Sequence, residues 1–247
     1  VSPETCVAAA LTGKVTDPRD LGLEYPNIVL PELYEIDDSM VILPSCDNSV
    51  EVFRGPNIGE PPKNTPMPEK LTAKVAIKVG DKITTDHIMP AGPFLKYRSN
   101  VPKYSGYVFY HIDSDFAPTC TRNKEEGFDS VIVAGLSYGQ GSSREHAALC
   151  PMYLGVRVLL AKSVERIHGA NLTNFGILQL TFMDDADYER VEDGDELEVD
   201  NIHQAIKQDT IIVRNVTQGY EFATKCTLTA RQREIVLCGG LLNYTAK

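Results

Sequence analysis

The chain has 247 residues, enough for one substantial core plus an appended piece, with the apolar and charged fractions of an ordinary globular protein. A formal charge of −10 argues against a nucleic-acid surface as its main business, because phosphate binding needs clustered Lys and Arg. No apolar run reaches the roughly 18 residues of a membrane span, no charged-then-apolar leader opens the chain, and a start at Val1 rather than Met reads as a piece of a longer or processed protein.

In chain order, Ser2-Pro3-Glu4 opens a short capped helix that ends at Gly13. Residues 20–69 carry eight prolines and no long apolar period, so they read as an extended tether, too long for a loop inside one compact domain. From Leu71 the texture changes: residues 72–79 alternate as a strand, and Gly80-Asp81 turns the chain. The run Tyr107 to Tyr110 reads as a strand with His111 packed at its end. Residues 129–134 form a buried strand, a helix opens near 143, and residues 157–161 form a second strand, making a parallel βαβ unit. Residues 163–171 read as a helix finished by His168, and 177–182 as a strand. Short alternating strands follow at 196–199, 210–213 and 220–228, with a last helix beginning at Thr229. Strands outnumber helices, which favours an open, β-rich α/β layering over a doubly wound sheet.

Six cysteines (Cys6, Cys46, Cys120, Cys150, Cys226 and Cys238) include no C-x-x-C, so no zinc ribbon or local iron–sulfur ligand set is written here. They read as reduced, mostly buried thiols. A G-x-S-x-G occurs at Gly135–Gly139, the pattern of a hydrolase nucleophile elbow with His168 or His203 as paper partners, but Tyr138 to Gly141 stand where a helix should start.

The segment Gly139-Gln140-Gly141-Ser142-Ser143-Arg144-Glu145-His146 says more. Its glycines permit a tight turn, Ser142 or Ser143 can cap the following helix, and Arg144 adds a fork of donors suited to a carboxylate. A serine among such donors has its alkoxide stabilised and could act as a base. Asp86-His87 and Arg98 are weaker signals: alone, they read as an Asx turn with a surface histidine and a solvated charge.

Taken jointly, Gly80 to Ile88, Gly92 to Arg98 and Tyr138 to Ala148 resemble the C-terminal swivel domain of aconitase, as do Ala161 to His168 and Asn174 to Leu178. The resemblance implies a three-layer β/β/α fold over residues 70–247, an interdomain linker at 20–69, and the tail of the preceding domain at 1–19. It implies an aconitate hydratase acting on citrate and isocitrate through cis-aconitate. By the resemblance Ser142 matches the base, Asp86 and His87 the family's Asp-His pair, placed with Ser142 among the catalytic residues, Arg98 and Arg144 the carboxylate-holding arginines, and Ser143 a substrate contact. The family's [4Fe–4S] cluster is ligated in earlier domains, so this chain should bind no cluster and be inactive alone. Its partners would be those cluster-bearing N-terminal domains, with neither membrane nor nucleic acid, and its compartment the cytoplasm. Met89 stands where many relatives carry serine. The nearest rival is a small subunit of an isopropylmalate or homoaconitate isomerase, opposed by the long N-terminal extension. A non-catalytic RNA-binding module is a rival of another class.

Overall fold

The computed structural model describes residues 1–25, 27–44, 51 and 53–247, which fall into two units, residues 1–52 and 53–247. In the first, helix α1 (Pro3–Thr12) forms as expected: Ser2 Oγ accepts the Thr5 N–H at 3.2 Å, Pro3 starts the helix, and Gly13 ends it in the left-handed region. A short 3₁₀ turn follows at Pro18–Leu21. Among the described residues from Gly22 to Lys70 no helix or strand forms.

The second unit runs β1 (Leu71–Val79), α2 (Thr85–Ile88), α3 (Val101–Ser105), α4 (Phe116–Glu125), β2 (Asp129–Ala134), α5 (His146–Tyr153), β3 (Val156–Ala161), α6 (Arg166–Asn174) and β4 (Leu178–Phe182). It continues with α7 (Asp185–Arg190), β5 (Glu196–Val199), α8 (Ile202–Ala205), β6 (Thr210–Asn215), β7 (Tyr220–Lys225), α9 (Ala230–Leu237) and α10 (Leu241–Thr245). Strands β1 to β4 are parallel neighbours. Strands β5, β6 and β7 are antiparallel, and β4 pairs with β7 while β1 pairs with β5. The sheet therefore closes on itself instead of lying open, because β1 offers its second edge to β5. Helices that the residue pattern did not announce (α2, α3, α4, α7, α8 and α10) also make the helical content larger than expected.

Two apolar clusters follow from this closure. Val131, Val133, Val158 and Leu160 point inside the ring with Leu197, Val213 and Phe222. Their alternate neighbours Ile132, Ala134, Leu159 and Ala161 point outward under α3, α4, α5 and α6. The central parallel strands β2 and β3 are buried on both faces, which is why residues 129–134 read as an unbroken apolar run, while β1 and β4 keep half-buried positions. A register shift between Val75 and Ile77 swings β1 from the inner cluster to the outer one. The antiparallel strands alternate buried and exposed, as a one-sided layer does. The three layers are thus antiparallel sheet, parallel sheet and helices, the β/β/α order expected.

The segment before β1 is bolted to this body by Arg157, which is 8% exposed. Its guanidinium donates to Asn64 Oδ1 at 2.7 Å, the Thr65 carbonyl at 2.8 Å, Thr65 Oγ1, and Asp129 Oδ1 at 3.2 Å. Met67 N–H adds a bond to the Leu237 carbonyl at 3.0 Å. Arg157→Ala removes all of these donors at once and leaves the half-buried Asn64 and Asp129 without them, which should cost roughly 2 kcal/mol, read as a lower urea midpoint; an unchanged midpoint would mean the segment is not held by this residue.

Candidate functional site

Parallel pairing sets the C-terminal ends of β1 and β2 side by side, with Val79 opposite Ala134. The loops that leave those ends must meet, at the carboxyl ends of parallel strands, the position α/β folds use for ligands. The Ile83 carbonyl accepts the N–H groups of Gly139 at 2.7 Å and Gln140 at 3.2 Å, and Thr85 N–H donates to the Gln140 carbonyl at 2.8 Å. Thr85 Oγ1 then donates to the Ser142 carbonyl at 3.1 Å. Thr85 is 2% exposed, so this tie is shielded. Nothing in the sequence marked Ile83 or Thr85 as anything but flanking residues.

That last bond explains one difference from expectation. In a helix opening near 143 the Ser142 carbonyl would accept the His146 N–H; here it accepts Thr85 Oγ1 instead, which turns it toward the segment after β1 and off the helical path. Helix α5 starts at His146, no side chain caps it, and Ser142 and Ser143 lie on an exposed loop ahead of it. Among the described residues, the N–H groups of Gly141 through Glu145 find no intramolecular acceptor. Exposed donors of this kind suit an anion.

Arg144 Nη1 donates to Asp86 Oδ1 and, at 3.5 Å, to the Met89 carbonyl, so the carboxylate aims the guanidinium. His87 is committed differently: its Nδ1 accepts the Thr84 N–H at 3.1 Å while its own N–H donates to Thr84 Oγ1 at 3.1 Å, closing a capping box around α2. Arg98 ends a 3₁₀ helix at Gly92–Tyr97, and its carbonyl accepts from His146 Nε2 at 2.8 Å. The main chain of Arg98 is thereby tied to the helix that follows the serine loop. The Arg98 side chain is exposed and makes no ion pair or hydrogen bond among the described residues. The described cavities lie elsewhere; one of about 410 Å³ is lined by Glu165, Arg166, Gln179 and Lys225.

The remaining candidates separate. Ser137 has the positive φ of 59° that an elbow needs, but its N–H goes to Ser163 Oγ, and His203 Nε2 donates to the Met67 carbonyl. No serine–histidine pair forms among the described residues. Residues 107–112 make turns instead of a strand, with Phe109 buried at φ 56°, and His111 joins an aromatic group with Phe94 and Tyr110.

His168 lies in the first turn of α6 instead of finishing a helix, because Gly169 to Asn174 continue the coil. It is 2% exposed, neither ring nitrogen has a partner, and Tyr138 sits 5.3 Å away. A Cβ at Gly139 would fall 2.3 Å from the ring, so the imidazole is a floor under the turn and excludes any side chain at position 139.

Among the described residues no group of three His, Cys, Asp or Glu side chains could hold a metal ion. Burial pushes the Cys120 and Cys150 thiols up to about 12 and raises Cys226, the opposite of what a thiolate ligand needs. These thiols do not fit an iron–sulfur cluster. Cys46 lies outside the described residues. No helix among the described residues is long and apolar enough to cross a membrane.

The fold and loop together define a swivel-type domain that presents a row of unpaired N–H groups at the ends of its parallel strands. Residues 89–185 match the family described as the aconitase C-terminal domain. A putative mitochondrial aconitate hydratase of Aspergillus fumigatus is 32% identical over 292 residues, covering 100% of this chain and 36% of itself. A mitochondrial homocitrate dehydratase of Saccharomyces cerevisiae is 32% identical over 230 residues, covering 81% of this chain and 29% of itself. Among solved structures, a 3-isopropylmalate dehydratase from Methanocaldococcus jannaschii aligns with TM-score 0.55 and 26% identity, covering 72% of this chain and 93% of that one. The chain carries an aconitase C-terminal domain. It spans about a quarter to a third of the length of the curated relatives it matches. The cytoplasmic placement expected from the sequence is overturned: these relatives are named mitochondrial, which points to the mitochondrion. Charge and thiol usage hold no address that could have told the two apart.

Burial also sets a pH signature. It holds His168 neutral, lowering its imidazole from 6.5 to about 4. The unfolded chain gains a proton near 6.5 and the folded one only near 4, so stability falls as pH drops through that window. The loss should approach about 3 kcal/mol and be absent in His168→Phe. Urea midpoints of both proteins at pH 7 and pH 4 give the comparison; an equal fall in the two would sink the assignment.

Proposed function

We propose that this chain supplies one wall of an aconitase-type hydro-lyase site that interconverts citrate and isocitrate through cis-aconitate. The observation behind this reading is the run of unpaired N–H groups from Gly141 to Glu145 beside Arg144, itself aimed by Asp86. A small polycarboxylate needs several fixed donors, and donors organised in advance also favour the aci-acid formed when a proton leaves.

In this reading Ser142 Oγ is the base. Adjacent N–H groups and the Arg144 charge lower the cost of its alkoxide, and it takes the proton from the carbon beside a carboxylate. Arg98 and Arg144 each hold a carboxylate, and the Ser143 hydroxyl contacts substrate. Asp86 orders Arg144, and His87 fixes the turn that presents Asp86, a narrower part than the catalytic one read from sequence. The [4Fe–4S] cluster would be held by residues outside this chain, as the family resemblance implies, and the buried Cys120, Cys150 and Cys226 thiols do not suit it. Residues 1–19 are then the tail of a preceding domain, 20–69 the linker and 70–247 the swivel domain. The piece is expected to be inactive until joined to the cluster-bearing N-terminal domains.

The isopropylmalate dehydratase neighbour favours a second reading, the small subunit of an isopropylmalate or homoaconitate isomerase. Against it stand the Phe94–Arg98 segment, which is of the aconitase type, and the part of the chain outside that alignment. In the assembled enzyme Ser142→Ala should lower kcat by about 10³-fold while KM moves only a few-fold. An undiminished rate removes Ser142 as the base, and turnover of isopropylmalate but not citrate selects the second reading.

A further inference from the structure

Arg98 sits in an awkward place for a residue that must hold a carboxylate steadily. It closes a 3₁₀ turn outside the sheet, it is exposed, and its side chain has no partner among the described residues. Two bonds from distant parts of the chain hold its backbone. His146 Nε2 donates to the Arg98 carbonyl at 2.8 Å. Because a carbonyl can only accept, Nε2 bears the proton. Gly59 N–H donates to the next carbonyl, Ser99, at 2.8 Å.

Each donor is itself fixed. The His146 ring lies edge-on to Tyr104 at 5.3 Å, and the buried Tyr104 hydroxyl donates to the Pro90 carbonyl at 3.0 Å. Gly59 lies so close to Asn100 that a Cβ there would come within 3.1 Å of Asn100 Oδ1, the oxygen that caps α3 through the Lys103 N–H. The Ile58 N–H closes a turn onto Gly55, and Arg54 pairs with Glu60 across the same loop. Beyond it the segment is bolted by Arg157 at Asn64 and Thr65.

We propose that His146 and Gly59 are positioning residues that grip the Arg98 and Ser99 carbonyls from two sides and so set where the Arg98 guanidinium stands relative to Ser142 and Arg144. This rests on the reading of Arg98 as a carboxylate contact. It gives the histidine of the serine-loop motif a task the chemistry does not otherwise require. It also makes the proline-rich segment part of the site's frame: a shift of residues 54–60 is felt at Arg98.

The test compares four variants of the assembled enzyme. His146→Leu keeps bulk and loses the donor; His146→Gln restores an N–H at the position of Nε2. His146→Leu should raise KM for citrate about 10-fold with kcat falling less than about threefold, His146→Gln should recover most of that, and Gly59→Ala should fall between. Arg98→Lys should raise KM at least as much as His146→Leu. Amide exchange gives a readout apart from turnover: the Gly59 N–H should be protected in the parent chain and lose protection in His146→Leu. If Arg98→Lys raises KM while the Leu and Gln variants behave alike, the grip is overturned and the reading of Arg98 stands. If Arg98→Lys leaves KM unchanged, the reading of Arg98 fails and takes the grip with it. An unprotected Gly59 amide in the parent chain also overturns it.

Discussion

The Ile83 carbonyl is the point on which the site turns. By accepting two successive N–H groups from the Gly139 turn, it fuses the segment after β1 to the segment after β2. Topology brings the strand ends together, and this bond decides how the loops mesh once there. The meshing tolerates no side chain at Gly139, because the His168 ring already fills that space. A buried, neutral imidazole thus takes part in shaping a charged surface it never touches.

The charged parts of the site gain little stability from one another. Arg144 and Asp86 are 28% and 59% exposed, and pairs so open to water contribute about 1 kcal/mol or less. Their worth lies in geometry. A guanidinium already aimed by Asp86 and the Met89 carbonyl gives up less freedom when an anion arrives. The unpaired N–H groups beside it are costly inside a protein but inexpensive in water, which accounts for their exposure.

Local chemistry made some elements readable. Ser2, Pro3 and Gly13 punctuate α1, Thr229 forms its capping box with Gln232, and the apolar run at 129–134 is a strand sandwiched between layers. Tertiary contacts hid the rest. The Ser142 carbonyl is drawn to Thr85 across the site and α5 begins later, at His146; Phe109 adopts a left-handed backbone inside the core, which breaks a run that reads as a strand. The closing of the ring depends on β1 meeting β5, a pairing no local pattern announces. At the site, motif residues Asp86 and Arg144 do meet, and the Arg98 main chain is drawn in. The tie itself, a histidine to a carbonyl and a glycine amide to its neighbour, has no signature in residue type.

The seam between β1 and β5 also bears on how this domain comes into being. Leu71 faces Val199, so the first strand made waits for one of the last before its outer edge is covered. A nascent chain holding only β1 to β4 exposes two bare strand edges, the sort of ledge on which neighbouring chains polymerise. Contacts so distant along the polypeptide also slow collapse to the native state. A folding intermediate that has joined β1 to β4 but not yet β5 and β7 therefore carries both edges uncovered, and shielding matters most until residues 196–225 have paired.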